Sequence, residues 1–160
     1  MAKAWVFGDD VSTDDIIAGR YLVHHDPREL GKHAMENIDP TFVKKVSKGD
    51  VIIGGRNFGC GSSREQAPIT LKAAGVSAVV AESFARIFYR NAINQGLPVI
   101  ACPGVREKFK SSDEVEVDLR KGIVRNVTTG EVFKAEPFPD FIMEILNAGG
   151  LVPYLKRKGK

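Results

Sequence analysis

The strongest candidate for chemistry in this sequence is a glycine-rich segment with serine and arginine side chains, Phe58-Gly-Cys-Gly-Ser-Ser-Arg-Glu-Gln-Ala67. Its glycines remove side chains from the turn, so that backbone N–H groups can point at an anion. Arg64 can hold a carboxylate through two parallel hydrogen bonds, and Ser62 and Ser63 place hydroxyls beside it. The segment lies between a predicted strand and a predicted helix, where open α/β sheets bind ligands and a helix N-terminus attracts anions. The sequence therefore predicts a carboxylate site here.

Three familiar loop motifs do not match this segment. Gly54 and Gly59 have the spacing of a phosphate-binding P-loop, but Cys60 stands where that motif needs lysine. A dinucleotide-binding loop needs glycine where Arg64 stands. A nucleophile elbow needs glycine where Glu65 stands. The segment therefore gives no support to nucleotide binding or to the hydrolase elbow.

Ser62 also has a purely structural interpretation. The spacing of Ser62 and Glu65 is that of a capping box, in which the serine binds backbone N–H groups at a helix N-terminus. Pro68 fits best in a first helical turn, so the regular helix is predicted to start a few residues after Ser62. From the residues alone, both interpretations of Ser62 stay open.

A second candidate is the acidic loop that contains Ser12-Thr13-Asp14-Asp15 and two further aspartates, Asp9 and Asp10. Clustered aspartates can bind Mg²⁺ or Ca²⁺, but the spacing of an EF-hand is absent. Such residues more often make turns and helix caps. A carboxylate at a strand end can also orient a catalytic group in a neighbouring loop.

Histidines and cysteines predict no metal site. His24 and His25 are adjacent and would point apart in an extended segment, and His33 stands alone. Cys60 and Cys102 cannot form a disulfide framework, a four-thiolate zinc site or an iron–sulfur site by themselves. Cys60 is interpreted as a packing residue whose pKa the nearby arginine and helix end can lower. Two isolated cysteines fit a reducing, cytoplasmic setting.

The elements that must position these residues alternate between strands and helices. Strands are predicted at 4–7, 50–54, 77–81 and 97–101, with a helix to about residue 74 and another ending at Gly96. The second helix is expected to bury one face, composed of Phe84, Ile87, Phe88, Ala92 and Ile93, and to leave its polar face, Arg86, Arg90, Asn91 and Asn94, to solvent or to a partner. This order is typical of parallel βαβ units.

Shorter elements complete the prediction. A short helix is expected over 27–35 and a helical turn over 42–46. Antiparallel strands at 115–119, 123–127 and 132–133 are expected to cover one edge of the parallel sheet. A final helix over 138–146 is closed by two glycines. The fold class is therefore α/β, with a parallel βαβ core and additional antiparallel strands.

Composition limits the classes of function. The chain has 160 residues, of which 43% are hydrophobic, and we expect one domain over 1–160. Its net charge of +3 owes +4 to residues 156–160, interpreted as a frayed tail, which is weak evidence for nucleic acid. No signal peptide or membrane span is predicted. We expect neither a nucleic-acid nor a membrane partner.

Four motifs together resemble one protein family: Thr13-Asp14-Asp15-Ile16, Tyr21-Leu22, the segment 58–67, and Ser83-Phe-Ala-Arg-Ile-Phe-Tyr-Arg-Asn91 with Gly96-Leu-Pro98. Over essentially the whole chain, the sequence resembles the small subunits of 3-isopropylmalate dehydratase, which belong with the swivelling domain of the aconitase superfamily. The resemblance implies a swivelling β/β/α fold. It also implies a hydro-lyase that interconverts 2- and 3-isopropylmalate through isopropylmaleate in leucine biosynthesis. Such chains act only with a large subunit, whose [4Fe–4S] cluster is the Lewis acid, and hold no cofactor themselves.

The resemblance also implies roles for individual residues. Ser62 matches the serine whose alkoxide takes a proton from the carbon next to a carboxylate, and Arg64 matches the arginine that binds a carboxylate of the dicarboxylate substrate. Ser63 matches a neighbouring serine that forms hydrogen bonds in the site. Thr13 and Asp14 match a supporting pair. The site is incomplete without the partner.

The identity of the acid depends on the loop Tyr21-Leu22-Val23-His24, which in this family faces the variable arm of the substrate. Homoaconitase-type relatives tend to place arginine where this chain has Val23, and an apolar side chain suits an isopropyl group. Arg20 and Arg28 lie close enough in sequence to reach an extra carboxylate, so a homoaconitase small subunit or a dual-specificity enzyme is the alternative. A carboxylate-binding module without catalytic activity and a purely structural subunit are two further alternatives.

Overall fold

A parallel four-stranded sheet forms the centre of the protein, in a computed structural model that describes residues 2–159. The strands lie in the order β1-β2-β3-β4, namely β1 (Ala4–Val6), β2 (Val51–Gly54), β3 (Ala78–Ala81) and β4 (Val99–Ala101). Each neighbouring pair is parallel. Because parallel strands end at the same edge, the loops that follow β1, β2 and β3 come together at their carboxyl ends.

The three remaining strands form a separate antiparallel sheet in the order β5-β6-β7, namely β5 (Val115–Asp118), β6 (Ile123–Asn126) and β7 (Val132–Lys134). The expectation that these strands cover one edge of the parallel sheet is confirmed at β1, where Lys3 and Glu114 form an antiparallel bridge just before β5. The antiparallel sheet also packs on one face of the parallel sheet. Val115 and Val124 share a buried cluster with Val51, Ile53 and other residues of that face. The parallel strands are buried on both sides, so both faces need a covering layer.

Helices cover the opposite face of the parallel sheet, where Ile52, Val79 and Val99 point. They are α1 (Thr13–Ile16), α2 (Pro27–Gly31), α3 (Phe42–Lys45), α4 (Gln66–Ala73), α5 (Arg86–Asn94), α6 (Asp140–Ala148) and α7 (Leu151–Lys158), with short 3-10 turns at Gly19–Tyr21 and Arg106–Lys108. The architecture is thus β/β/α, and the predicted α/β class with a parallel core and extra antiparallel strands is confirmed. No helix within residues 2–159 combines the length and apolar character needed to cross a bilayer.

Two segments differ from their predictions. The segment predicted as helix over 27–35 leaves helical structure after Gly31, and Met35 adopts a left-handed conformation with φ of 60°. The Met35 N–H then donates to the Ile16 carbonyl, so a contact with α1 replaces the helical hydrogen bond. Residues 156–158 of the tail interpreted as frayed instead form the basic last turn of α7, at the negative end of the helix dipole, and Lys160 lies outside the described residues.

A buried carboxylate joins the first two strands. Asp50 is 2% exposed and accepts hydrogen bonds from the backbone N–H of Lys3, the indole N–H of Trp5 and the backbone N–H of Ser47. Buried charge is tolerated where several donors satisfy it. Asp50 therefore holds the start of β2 beside β1, which fixes the positions of the loops that follow both strands.

Candidate functional site

Two loops, one following β1 and one following β2, are joined by backbone hydrogen bonds. The Gly59 N–H donates to the Val11 carbonyl across 2.7 Å, and the Thr13 N–H donates to the Cys60 carbonyl across 2.9 Å. The Thr13 hydroxyl, which is buried, donates to the Ser62 carbonyl across 2.8 Å. Thr13 therefore fixes the backbone of the glycine-rich segment at two points.

Arg64 reaches back across both loops. Its guanidinium donates to Asp14 Oδ1 at 3.1 Å and to the Ile17 carbonyl at 3.0 Å, and the Gly19 N–H donates to the same Asp14 oxygen at 3.2 Å. The Arg64 side chain is 19% exposed and that of Asp14 is 58% exposed. The hydrogen bond from Arg64, followed by that from Gly19, lowers the pKa of Asp14 below its usual 3.8. Asp14 is therefore a charged partner that orients Arg64.

A cavity of about 220 Å³ opens between the glycine-rich segment and the first turn of α5. Gly59, with φ of 85°, lies directly against the Phe88 ring, where no Cβ has room. This contact brings α5 to the loop. The cavity is lined by Thr13, Gly59, Gly61, Ser62, Ser63, Arg64, Ala85, Arg86, Ile87, Phe88 and Asn91. The structure thus brings together five predicted site residues. Four of them line the cavity, namely Thr13, Ser62, Ser63 and Arg64, and the fifth, Asp14, is hydrogen-bonded to Arg64.

Ser62 is not a helix cap. Helix α4 begins at Gln66, and its N-terminus has no side-chain cap. The expected late start of this helix is confirmed, with Pro68 in its first turn. The capping box lies elsewhere, between Ser12 and Asp15, with hydrogen bonds of 3.0 and 2.9 Å. Across residues 2–159 no hydrogen bond is assigned to the Ser62 hydroxyl, which is exposed beside the cavity and available for a ligand.

The sequence did not identify the contribution of α5 to this cavity. Ile87, expected on the buried face, has 52% of its surface exposed, and Arg86 and Asn91 line the cavity rather than a plain solvated face. The first turn of α5 has no side-chain cap, so its N–H groups add positive potential at the cavity wall. The sequence signals were the arginine and asparagine residues of this helix and the family motif at 83–91, neither of which was interpreted as lining the site.

The other aspartates of the acidic loop make turns and caps. Asp9 accepts the Arg56 N–H at 2.8 Å, and Asp10 accepts from the Asn57 amide at 3.2 Å. Asp15 belongs to the capping box. The structural interpretation of the acidic loop therefore holds for these three residues, whereas Asp14 serves the arginine.

The prediction that Arg64 and the helix end lower the pKa of Cys60 is wrong. Burial, followed by the negative charge of Asp10, raises the pKa of the Cys60 thiol. The Arg64 guanidinium donates to Asp14 and to the Ile17 carbonyl, and not to the thiol. Cys102 is buried between the two sheets, and burial raises its pKa too. Neither cysteine is in a disulfide.

The loop Tyr21–His24 does not line the cavity. The Tyr21 ring stacks on His33 at 3.7 Å with an interplanar angle of 5°, and His33 Nδ1 lies 3.0 Å from Glu36 Oε2. The His24 ring is nearly parallel to the His33 ring, with 6.4 Å between their centroids, so the expectation that His33 stands alone is wrong. Leu22 is partly buried, whereas Val23 is 73% exposed. The loop is anchored beside the site and presents Val23 outward.

Comparisons with known proteins agree on one group of relatives. A family model described as the aconitase C-terminal domain matches residues 11–103. The 3-isopropylmalate dehydratase small subunit 1 of Methanopyrus kandleri is 63% identical over 98% of this chain and 92% of that protein. The isopropylmalate/citramalate isomerase small subunit of Methanocaldococcus jannaschii is 60% identical over 98% of this chain and 93% of that protein.

A solved structure is also similar. The crystal structure of a 3-isopropylmalate dehydratase from Methanocaldococcus jannaschii superimposes with a TM-score of 0.93 and 52% sequence identity. The match covers 99% of this chain and 93% of that chain. The β/β/α arrangement is therefore shared with an experimentally determined relative.

Proposed function

The chain belongs to the aconitase C-terminal domain family and, within it, to the small subunits of 3-isopropylmalate dehydratase, and from this we propose that it is the small subunit of that hydro-lyase. The reaction interconverts 2-isopropylmalate and 3-isopropylmalate, with isopropylmaleate as the dehydrated intermediate, and belongs to leucine biosynthesis. The observation that carries the proposal is one cavity lined by both Ser62, whose hydroxyl makes no hydrogen bond within residues 2–159, and Arg64, which Asp14 orients.

Ser62 is the proposed base. Its alkoxide takes the proton from the carbon next to a substrate carboxylate while the hydroxyl leaves the neighbouring carbon, and the proton and hydroxyl return in exchanged positions. A serine is a poor base unless its oxyanion is stabilised before the reaction. Arg64 and the free N–H groups at the start of α5 supply positive potential at the cavity wall. Ser63 is proposed to donate to the substrate, and Thr13 to hold the loop.

An iron–sulfur cluster does not fit the thiols of this chain. Such clusters are held by several cysteine thiolates. Cys102 is buried between the sheets, and Cys60 is a single thiol whose pKa is raised. Within residues 2–159 no three histidine, cysteine, aspartate or glutamate side chains gather as a metal site. We propose that the [4Fe–4S] cluster belongs to the large subunit, where it would supply Lewis acid chemistry for the leaving hydroxyl.

The large subunit is the proposed partner because the site is open on one side. Ser62 and Ser63 are exposed, and Ile87 presents an apolar side chain at the rim. A reaction that loses and regains water needs a closed cavity in which charges are strong. We expect activity only in the complex, and we propose a cytoplasmic location from the two unpaired thiols.

Isopropylmalate is favoured over homocitrate as the substrate. The relatives carry the names of isopropylmalate enzymes. Arg28, which was considered for an extra carboxylate, is paired with Asp26 at 3.1 Å, and the Arg20 guanidinium lies over the Tyr21 ring at 4.7 Å. The name of the Methanocaldococcus relative favours citramalate as a second substrate, because citramalate has a methyl group in place of isopropyl. Apolar pockets discriminate such groups only modestly.

Anaerobic reconstitution with the large subunit tests the proposal. We expect turnover of isopropylmalate, slower turnover of citramalate, and little turnover of homocitrate. Preference for homocitrate would overturn the substrate, and inactivity on all three acids with an intact cluster would favour a non-catalytic carboxylate-binding module.

Two serine variants test the role of Ser62 as the base. Ser62→Ala should lower kcat by about 10³-fold with a smaller change in KM. Ser47→Ala removes an exposed hydroxyl outside the cavity and should leave the rate unchanged. An undiminished rate in Ser62→Ala would leave this chain only a structural role.

A further inference from the structure

Two arginine side chains line the cavity, Arg64 and Arg86, and they differ in what already holds them. Arg64 donates to Asp14 and to the Ile17 carbonyl, so part of its positive charge is balanced before any ligand binds. Within residues 2–159 the Arg86 side chain makes no salt bridge and no hydrogen bond, and it is exposed. The cavity therefore contains a full positive charge without a partner.

The position of Arg86 is set by the glycine-rich segment itself. Ala85 donates its N–H to the Phe58 carbonyl at 3.0 Å, and Phe58 donates its own to the Ser83 carbonyl at 3.0 Å. Ala85, which is bonded to the segment that contains Ser62, directly precedes Arg86, the first residue of α5. These bonds therefore hold Arg86 next to that segment. Phe88, which is buried against Gly59, then fixes the rotation of the first turn.

We propose that Arg86 binds the second carboxylate of the substrate. This inference rests on the proposed function, because a dicarboxylate carries two negative charges and Arg64 meets only one of them. The uncapped N–H groups of the first turn of α5 lie at the same cavity wall as Arg86, and like Arg86 they attract a negatively charged group. The Asn91 amide, one turn further along, lines the cavity and can donate to the same carboxylate. Arg86 thus selects substrates with two carboxylates.

Kinetics of the reconstituted complex provide the first test. Arg86→Ala should raise KM for isopropylmalate by about 10- to 100-fold, with a smaller change in kcat, because a charge-assisted hydrogen bond to the bound acid is lost. Arg86→Lys should recover part of this loss, since the charge returns without the two-pronged geometry. Arg90→Ala is the matched control, because Arg90 has the same charge on the same helix and does not line the cavity.

A binding measurement separates this inference from the proposed function. Maleate, a dicarboxylate without the substrate hydroxyl, should protect the wild-type complex against thermal unfolding, whereas acetate should protect it little. Arg86→Ala should lower the affinity for maleate by about 10-fold or more and leave the weak acetate effect unchanged. This result would support the inference even if isopropylmalate were not turned over.

Two outcomes would overturn it. An unchanged KM and an unchanged maleate affinity in Arg86→Ala would show that Arg86 does not bind the acid. Weaker assembly with the large subunit, measured by titrating one subunit into the other, together with a normal KM in the fully assembled complex, would make Arg86 a subunit contact instead.

Discussion

The Arg64 guanidinium donates to Asp14 Oδ1 at 3.1 Å, across fifty positions of sequence. The same oxygen accepts the Gly19 N–H, so one carboxylate joins the glycine-rich loop to the start of the loop that contains Tyr21. An arginine held in this way keeps its fork in place for a carboxylate ligand. In the proposed site, the pair would therefore link carboxylate binding at Arg64 to the shape of the neighbouring loop.

Removal of the Asp14 carboxylate should impair catalysis in the reconstituted complex. Asp14→Ala removes the acceptor for both Arg64 and Gly19, and we expect kcat/KM to fall by about 10- to 100-fold because Arg64 loses its fixed orientation. Asp14→Asn keeps one oxygen acceptor and should lose less. Glu116→Ala removes an exposed glutamate–arginine pair in the antiparallel sheet, outside the cavity, and should leave kcat/KM unchanged. Equal kinetics in Asp14→Ala and wild type would contradict the orienting role.

The Asp14–Arg64 pair should also appear in the acid stability of the isolated chain. The folded pKa of Asp14 lies below 3.8, so the pair contributes its stability above that value and loses it as pH falls through the lowered folded pKa. Because Asp14 is largely exposed, the contribution stays within about 1 kcal/mol. Urea unfolding should show a wild-type advantage over Asp14→Asn near neutral pH that shrinks in acid below 3.8. A pH-independent difference between the two proteins would be inconsistent with this linkage.

Gly59→Ala should destabilise the chain strongly. A Cβ at this position would overlap the Phe88 ring, and the left-handed backbone adds strain. We expect a loss of about 3 kcal/mol or more in the free energy of unfolding by urea. Gly104 has nearly the same φ, 83°, and open space around it, so Gly104→Ala should cost only about 1–2 kcal/mol. Similar costs at the two positions would mean that α5 shifts to accept the methyl group.

The Cys60 thiol should react slowly with iodoacetamide near neutral pH. Burial and the charge of Asp10 disfavour the thiolate, which is the reactive species. Asp10→Asn should lower the pKa and speed alkylation, as followed by mass spectrometry of the Cys60 peptide. Glu107→Gln removes an exposed charge that does not act on Cys60 and should have no effect. Faster alkylation of Cys60 than of a free cysteine would show that Arg64 and the N-terminus of the following helix lower the pKa of the thiol more than burial raises it.

Local patterns were sufficient for most of the fold. The buried runs at β2 and β3 and the turn residues between them predicted the parallel core, because strand and helix periodicities are local properties. The late start of α4 followed from Pro68 alone. Helix α7 was not predicted because its last turn is strongly charged. Its apolar residues are stabilised only by packing beside α6, which the local sequence does not show.

The residue types of the candidate site were predictable from local motifs: a glycine turn, a pair of serines, an arginine and a preceding aspartate. The hydrogen-bond partners of these residues follow from contacts between segments that are distant in sequence. Whether Ser62 caps a helix depended on where α4 begins, and the charge that meets Arg64 depended on two loops from adjacent strands meeting at one sheet edge. The position of Arg86 likewise depends on the close contact between Gly59 and the Phe88 ring of α5, which leaves no room for a side chain at residue 59. Hydrogen bonds and packing between distant segments carry no periodic signal, so local pattern alone could not assign them.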